Sequence, residues 1–231
     1  MPPVRGPRAA RPRRRADEII DAAAAVFAER GYHGASTQDV ADHLGMRQAS
    51  LYYYFPSKES ALEQVCLRSV GDFLERAQAI ANGSGGSADK LAAIIRSHLA
   101  PVEERGAYVR CFLRERRFLP RESARRIGRV ARRYEHILQS VIEAGIAAGE
   151  LRRDLDPRLA TLALVGMCNA AMEWYGREPN APLGLIVEVF TGLAISGMAV
   201  PRHGRPRPPS GNRATGSGGR AGSRQRRQSR G

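Results

Sequence analysis

An all-α fold is predicted: a three-helix unit containing a helix-turn-helix, followed by a larger helical domain. Three observations lead to it. Apolar residues recur at helical spacing from residue 14 to residue 200. Gly, Pro, Ser and Asp stand where helices start and stop, and neither an alternating run nor a two-residue hairpin turn signals a strand. The third is the stretch 37–55, which breaks at Gly45 into two short helical pieces.

Taken in order, Ile19, Ile20, Ala23, Ala24 and Phe27 define a first helix over about 14–30, with Gly31 where a C-terminus wants positive φ. Ser36 or Thr37 then caps a second helix whose Val40, Ala41 and Leu44 form one apolar stripe. Gly45 turns the chain. A third helix follows, with Met46 and Leu51 inward and Phe55 closing it, while Arg47, Gln48, Ser50 and Tyr53 share another face. That face carries donors, acceptors and rings suited to base edges in a major groove about 12 Å wide. On this stretch alone, an ordinary αα-hairpin with a solvated polar face fits equally well.

Ser57 caps a long fourth helix, in which Leu62, Val65, Cys66, Ser69, Phe73 and Ala77 keep period 3.6 to about residue 81. The Gly/Ser run 82–87 is a flexible break. Five helices are expected beyond it, over 88–101, 107–119, 121–148, 157–175 and 182–200. Gly149 is a C-terminal stop, and Asp156-Pro157 is an N-cap followed by Pro at the first helical position. The last two helices carry the most apolar stripes, Leu159 to Trp174 and Ile186 to Met198. Meeting their two-fold copies, they would form a four-helix dimer interface; an intramolecular core explains them as well.

The formal charge of +14 is unevenly placed. Six Arg lie in residues 1–15 and nine in 201–231, without one acidic residue, which leaves 22 basic against 23 acidic between them. Both ends are expected to be disordered basic segments, too poor in apolar residues to offset the entropy of ordering. Either can follow phosphates, and either can be no more than a solvating tail. Cys66, Cys111 and Cys168 lack disulfide or metal-ligand spacing, so each is expected to pack as a small apolar residue, with no metal and no cofactor. No signal-peptide core and no run of about 20 apolar residues occurs, which leads to a cytoplasmic protein without a membrane partner. No nucleophile–base pair, phosphate loop or metal motif suggests an enzyme, and the five His are scattered.

The residues Phe27-Ala-Glu-Arg-Gly-Tyr32, Ser36-Thr37, Val40-Ala41, Leu44-Gly45 and Leu51-Tyr-Tyr-Tyr-Phe-Pro-Ser-Lys-Glu59 resemble the DNA-binding domain of TetR-family repressors across residues 16–65. Arg47, where a small hydroxyl residue is frequent, and Tyr54, where His is common, depart from the pattern. The resemblance implies a helix-turn-helix DNA-binding domain over 16–56 and a helical ligand-binding and dimerisation domain over 57–200, between the basic arm over 1–15 and the basic tail over 201–231 that composition sets apart. The DNA-binding candidates are Thr37, Gln38, Arg47, Gln48, Ala49, Ser50, Tyr52, Tyr53, Tyr54 and Lys58. The partner implied is a double-stranded operator with palindromic half-sites, bound by a homodimer. Lys58, in the first turn of the fourth helix, is expected to touch a phosphate.

Between Arg105 and Arg133 there are eleven Arg and only two acidic residues, Glu115 and Glu122. Such a cluster suits the phosphates of an anionic ligand; a solvated face or a side turned to DNA accounts for it too. Arg132-Arg133-Tyr134-Glu135, Gly166-Met167-x-Asn169 and Trp174-Tyr175 are similar to TetR members that answer to acyl-CoA thioesters. Arg114, Arg117, Arg121, Tyr134, Asn169, Glu173 and Trp174 are therefore the ligand-binding candidates. The leading reading is a ligand-released repressor whose inducer is an acyl-CoA thioester. A drug- or lipophile-responsive efflux regulator of the same fold and an architectural DNA-binding protein without a ligand are its rivals.

Overall fold

A computed structural model of the chain describes residues 10–200, with side chains from residue 14. The first nine residues of the expected basic arm and the whole of the expected basic tail over 201–231 lie outside the described residues. Among the described residues ten α-helices follow one another: α1 Ala10–Gly34, α2 Thr37–His43, α3 Gln48–Leu51, α4 Lys58–Asn82, α5 Ser87–Leu99, α6 Pro101–Glu104, α7 Gly106–Arg110, α8 Arg121–Ala147, α9 Pro157–Trp174 and α10 Leu183–Met198. Between α7 and α8 the chain tightens from a π-helical turn, Cys111–Glu115, into a 3₁₀ turn, Arg116–Phe118. Among the described residues the extended backbone amounts to one antiparallel bridge, Leu151 with Ala199. No helix among them is long and apolar enough to cross a membrane.

The helix boundaries follow from local chemistry. Gly31 interrupts α1 with φ 70°, a conformation that disfavours any side chain, and the chain turns there into Tyr32. The expected start of α1 near Arg14 moves back to Ala10, which draws the end of the expected basic arm into the helix. Ala and Arg are good helix formers, Pro12 lies in the first turn where its missing N–H has no intrahelical partner, and Arg15 pairs with Glu18 at 3.0 Å. Asp156 caps α9 by accepting from the Leu159 amide at 2.8 Å, ahead of Pro157. The segment expected as a single helix over 107–119 is instead α7 with the π and 3₁₀ turns, which shift helical pitch twice in twelve residues.

Two apolar cores share the molecule. The first joins Ile19, Phe27, Val40, Leu51 and Phe55 of the amino-terminal unit to Leu62 and Val65 of α4 and to Tyr108, Cys111, Phe112, Leu119 and Ile127. Fully burying side chains such as Phe27 and Leu62 contributes roughly 1.5–3 kcal/mol each. The second is built by α5, α8, α9, α10 and the distal part of α4, through Phe73, Leu91, Ile94, Tyr134, Leu138, Leu164 and Ile186. Gly145 permits its tightest approach, because a Cβ there would lie 2.7 Å from that of Ser87 and 2.8 Å from the Leu151 side chain. All three cysteines are free and buried. Burial pushes the thiols of Cys66 and Cys168 up to about 12, so they pack as apolar groups.

The apolar surface of the last two helices divides, and the stripe expected on α9 proves to be its outward side, with Leu159, Leu162, Ala163, Gly166 and Ala170 exposed. Leu164, Cys168, Ala171 and Met172 of α9, and Ile186, Ala194 and Met198 of α10, face the core. Leu159 and Leu162 of α9, with Leu185, Val189 and Leu193 of α10, face outward, Leu159 and Leu193 being about two-thirds exposed at 65% and 64%. An intramolecular core therefore accounts for only half of this apolar surface.

Candidate DNA-reading face and ligand cavity

Ser36 and Asp39 form a reciprocal capping box at the start of α2. The Ser36 hydroxyl accepts from the Asp39 amide at 3.1 Å, and Asp39 accepts from the Ser36 amide at 2.7 Å. Arg30 pairs with the same carboxylate. These hydrogen bonds from Ser36, reinforced by Arg30, hold the Asp39 carboxyl below its ordinary range. After α2 the Gly45 amide donates to Asp42 and the Met46 amide to Ala41, both at 3.0 Å, with Gly45 at φ 61°. This turn delivers α3, a single turn anchored inward by Leu51 and followed by buried Phe55.

Arg47, Ala49, Ser50, Tyr52 and Tyr53 are exposed on that turn, and Tyr53 projects almost fully, at 95%. Arg47 supplies no capping hydrogen bond. Gln48 and Thr37 are half-buried, since the Gln48 amide donates to the Thr37 hydroxyl at 2.8 Å. Gln38 is exposed and donates to Asp42 at 2.6 Å. Tyr54 is turned partly into the first core, and its carbonyl accepts from Gln64 at 3.1 Å.

Lys58 departs from the expected role. Its ammonium donates to the carbonyls of Tyr32 and Ala35, both at 2.9 Å, and lies 4.5 Å from the centre of the Tyr32 ring. Two of its three N–H groups therefore hold the turn between α1 and α2. The reason is the Gly31 kink, which leaves those two carbonyls outside regular helical bonding. Glu59 accepts from the Tyr32 hydroxyl at 2.5 Å. Burial and then this hydrogen bond push the Tyr32 phenol up, while the same bond holds Glu59 down. On the other side of Tyr32, its amide donates to Glu115 at 2.8 Å and its ring stacks on Phe118 at 5.6 Å.

A small cavity of about 120 Å³ lies where the two cores meet, lined by Val70 and Phe73 of α4, His98 of α5, Phe112 of the π turn, Tyr134 of α8 and Asn169 of α9, among others. His98 joins three of these helices. One ring nitrogen, Nδ1, is 2.6 Å from the Tyr134 hydroxyl, and Nε2 is 3.2 Å from the Asn169 side-chain oxygen. Phe73 stacks on the imidazole at 4.7 Å. Burial drives the His98 pKa down to about 4, against the favourable Asn169 hydrogen bond, so the ring is neutral at pH 7.

Of the seven expected ligand residues, Tyr134 and Asn169 line this cavity and five do not. Arg114 and Glu173 pair with each other at 3.3 Å, because α9 carries Glu173 past the π turn at matching height. The guanidinium of Arg117 lies over Phe118 at 4.8 Å, Arg121 is exposed at the start of α8, and Trp174 packs edge-on to Phe190 of α10 at 6.4 Å. The Arg cluster is likewise partly consumed within the fold: Arg126 pairs with Glu63 and Glu122, and Arg105 with Asp72 and Asp21. Sequence reasoning missed His98, Phe112 and Arg116, all at the cavity. His98 had a signal: with Leu91, Ile94, Ile95 and Leu99 it sits on the apolar stripe of α5, the one ionisable residue there.

Residues 19–65 match the model for bacterial regulatory proteins of the tetR family, and residues 84–198 the tetracyclin repressor-like C-terminal domain. The HTH-type transcriptional repressor KstR2 of Mycobacterium tuberculosis is 30% identical over 173 residues, covering 73% of this chain and 84% of its own. The chain belongs to the TetR family. A second TetR relative, the fatty acid metabolism regulator protein of Bacillus subtilis, is 28% identical over 185 residues, covering 78% of this chain and 94% of its own. Among solved TetR structures, FadR from Bacillus subtilis in complex with stearoyl-CoA superposes with a TM-score of 0.70 at 27% identity, covering 78% of this chain and 98% of that one. As a TetR member the protein is a helix-turn-helix regulator of transcription that binds DNA and acts as a dimer.

Proposed function

We propose that the protein is a repressor released from a palindromic operator when an acyl-CoA thioester enters the cavity beside His98. It works in the cytoplasm, with the chromosome. Arg47, Ala49, Ser50, Tyr52 and Tyr53 supply the exposed part of the reading face, with Gln48 and Gln38 oriented by Thr37 and Asp42. Lys58 acts first by holding the Tyr32 turn and offers its remaining N–H to a phosphate. The outward apolar faces of α9 and α10 are the surface for the second subunit.

The observation that carries this reading is the position of α4. Its first turn is bonded to the DNA-reading unit through Lys58 and Glu59, while Val70 and Phe73 of the same helix wall the cavity. At about 120 Å³ the cavity is smaller than the roughly 300–1,000 Å³ of ligand sites, so an acyl chain has to push the surrounding helices apart. That displacement is the coupling: the ligand binds one separation of the helices better than the other, and thereby shifts the DNA-reading units off their spacing. Arg117, Arg121, Arg125, Arg129, Arg132 and Arg133 are exposed and form no ion pair among the described residues, which leaves them for the phosphates of CoA.

The test is operator release titrated with acyl-CoA thioesters, their free acids and lipophilic cations. The thioester should act at concentrations at least about tenfold lower than the acid, which lacks the phosphates. Release by the cations alone would make the protein an efflux regulator instead, since the exposed Arg repel such ligands.

A further inference from the structure

The cavity wall contains more hydrogen-bond donors than it uses. Tyr134 carries one O–H, neutral His98 one N–H and Asn169 two, four in all, and His98 makes a single bond to each of the other two. Neither Tyr134 nor Asn169 has another side-chain partner among the described residues.

The count does not depend on the tautomer. With the His98 proton on Nε2, the ring donates to Asn169 and accepts from Tyr134, and both Asn169 N–H bonds are left over. With the proton on Nδ1, the ring donates to Tyr134 and accepts from a flipped Asn169, leaving the Tyr134 O–H and one Asn169 N–H. Two donors remain in either arrangement. Burial keeps the third state, a doubly protonated ring, out of reach near neutral pH.

The other two polar groups at the cavity are charged, and of these Glu135 is paired. Glu135 pairs with Arg158 at 2.7 Å, and the Arg116 guanidinium lies over the Phe112 ring at 4.7 Å. The remaining wall is apolar, with Val70, Phe73, Phe112, Ala131 and Val165. The hydrocarbon part of an acyl thioester, once past the thioester carbonyl, would bury two unpaired donors against itself, whereas a chain with a further carbonyl oxygen at that depth would fill them.

We infer that the inducer is an oxygenated acyl thioester, whose acyl chain carries a second carbonyl oxygen, beyond the thioester's own, that accepts from the Tyr134–His98–Asn169 network. This rests on the cavity being the inducer site. Discrimination of this kind is strong when a site is built around donors, because the analogue lacking the acceptor leaves them unpaired.

The experiment uses the full-length dimer and CoA thioesters of straight-chain acids of four to eight carbons, each as the saturated compound and with an oxo group on the penultimate carbon. Calorimetry gives the affinity, and fluorescence anisotropy gives release from operator DNA. For the best-binding length the oxo compound should bind at least about tenfold more tightly than its saturated partner. In Asn169→Leu, a substitution of similar size, that preference should fall to about twofold or less. Equal affinity of oxo and saturated compounds for the wild-type protein, or a preference that survives in Asn169→Leu, overturns the inference while leaving a CoA-responsive repressor in place. If no thioester of the series binds or releases the operator, the reading of the cavity as the inducer site falls with it.

Discussion

The first turn of α4 and its middle are held in opposite ways. At the first turn nearly every polar group has a partner outside the helix: the Ser57 hydroxyl accepts from the Ser60 amide, Lys58 holds two carbonyls, and Glu59 accepts from Tyr32. Four turns on, Val70 and Phe73 face a void, and the nearby ion pairs of Asp72 with Arg105 and of Arg76 with Glu104 lie at the surface. One end is fastened to the turn between α1 and α2 by directional bonds; at the cavity the helix rests on apolar contacts that can slide, with the pairs Arg68–Asp17 and Asp72–Arg105 to either side. The difference teaches which part moves with which. Phe73 and Lys58 are about 22 Å apart along the axis at 1.5 Å per residue, so a tilt of about 5° at the cavity moves the fastened end by about 2 Å. Hydrogen bonds to base edges do not survive such a shift.

The largest effect expected breaks the comparison by removing the second subunit. Leu193→Asp places a carboxylate on the outward face of α10, which is apolar around it. Sedimentation should show a monomer, and operator affinity should drop by about 10²–10⁴-fold because each DNA-reading unit then binds alone. A dimer of undiminished affinity would move the interface elsewhere.

Lys58→Met tests the fastened end. It removes two hydrogen bonds from a charged donor and should lower unfolding free energy by about 2–4 kcal/mol, measured with denaturant, while weakening operator and random DNA together. Lost DNA affinity at unchanged stability would return Lys58 to a purely phosphate-contacting role.

Gln48→Ala sharpens the reading face alone. Affinity for the operator should fall by roughly 1–3 kcal/mol, with random DNA nearly unaffected, in a competition binding assay. Equal losses on both would deny Gln48 any part in base selection.

The smallest effect belongs to the cavity. The His98 pKa lies near 4 in the folded protein and near 6.5 when unfolded. The unfolded chain therefore takes up the proton first as pH falls, and the stability present above pH 6.5 is lost between 6.5 and 4. Between pH 7 and 5.5 the wild-type protein should lose about 1 kcal/mol more than His98→Gln in denaturant melts. Identical slopes would mean that His98 is not buried neutral.

The helices were legible because their ends are local events. Ser36 and Asp39 are three residues apart, Ser57 and Ser60 likewise, and Asp156 directly precedes Pro157; a cap needs nothing from the rest of the fold. The family pattern over residues 16–65 was legible for the same reason. The cavity was not, because His98 meets Tyr134 and Asn169 across separations of 36 and 71 residues, and no spacing rule links them. Arg114 and Glu173 looked like a ligand mouth in the sequence because each was counted without the partner that folding brings to it, the other. The division of the α9 and α10 stripes failed for a related reason. A stripe with period 3.6 shows that a helix has an apolar face, and says nothing of whether its own chain or a second copy covers it.

The π turn at Cys111–Glu115 holds one residue more than an α-helical turn would need over the same rise. Its two faces serve different neighbours, Phe112 looking into the cavity and Glu115 reaching the Tyr32 amide. Shortening the segment by a single residue would let it relax into regular α-helix, and the few residues between the deletion and Leu119 would rotate by about 100° about the local axis, the turn ahead of α8 taking up the change. Phe112 would keep its place while Glu115 and Phe118 swung away from Tyr32. A chain so altered would still fold around both cores and keep the link along α4, yet it would lose its second strut between cavity and reading unit, and the inducer's push would reach the DNA through one lever in place of two.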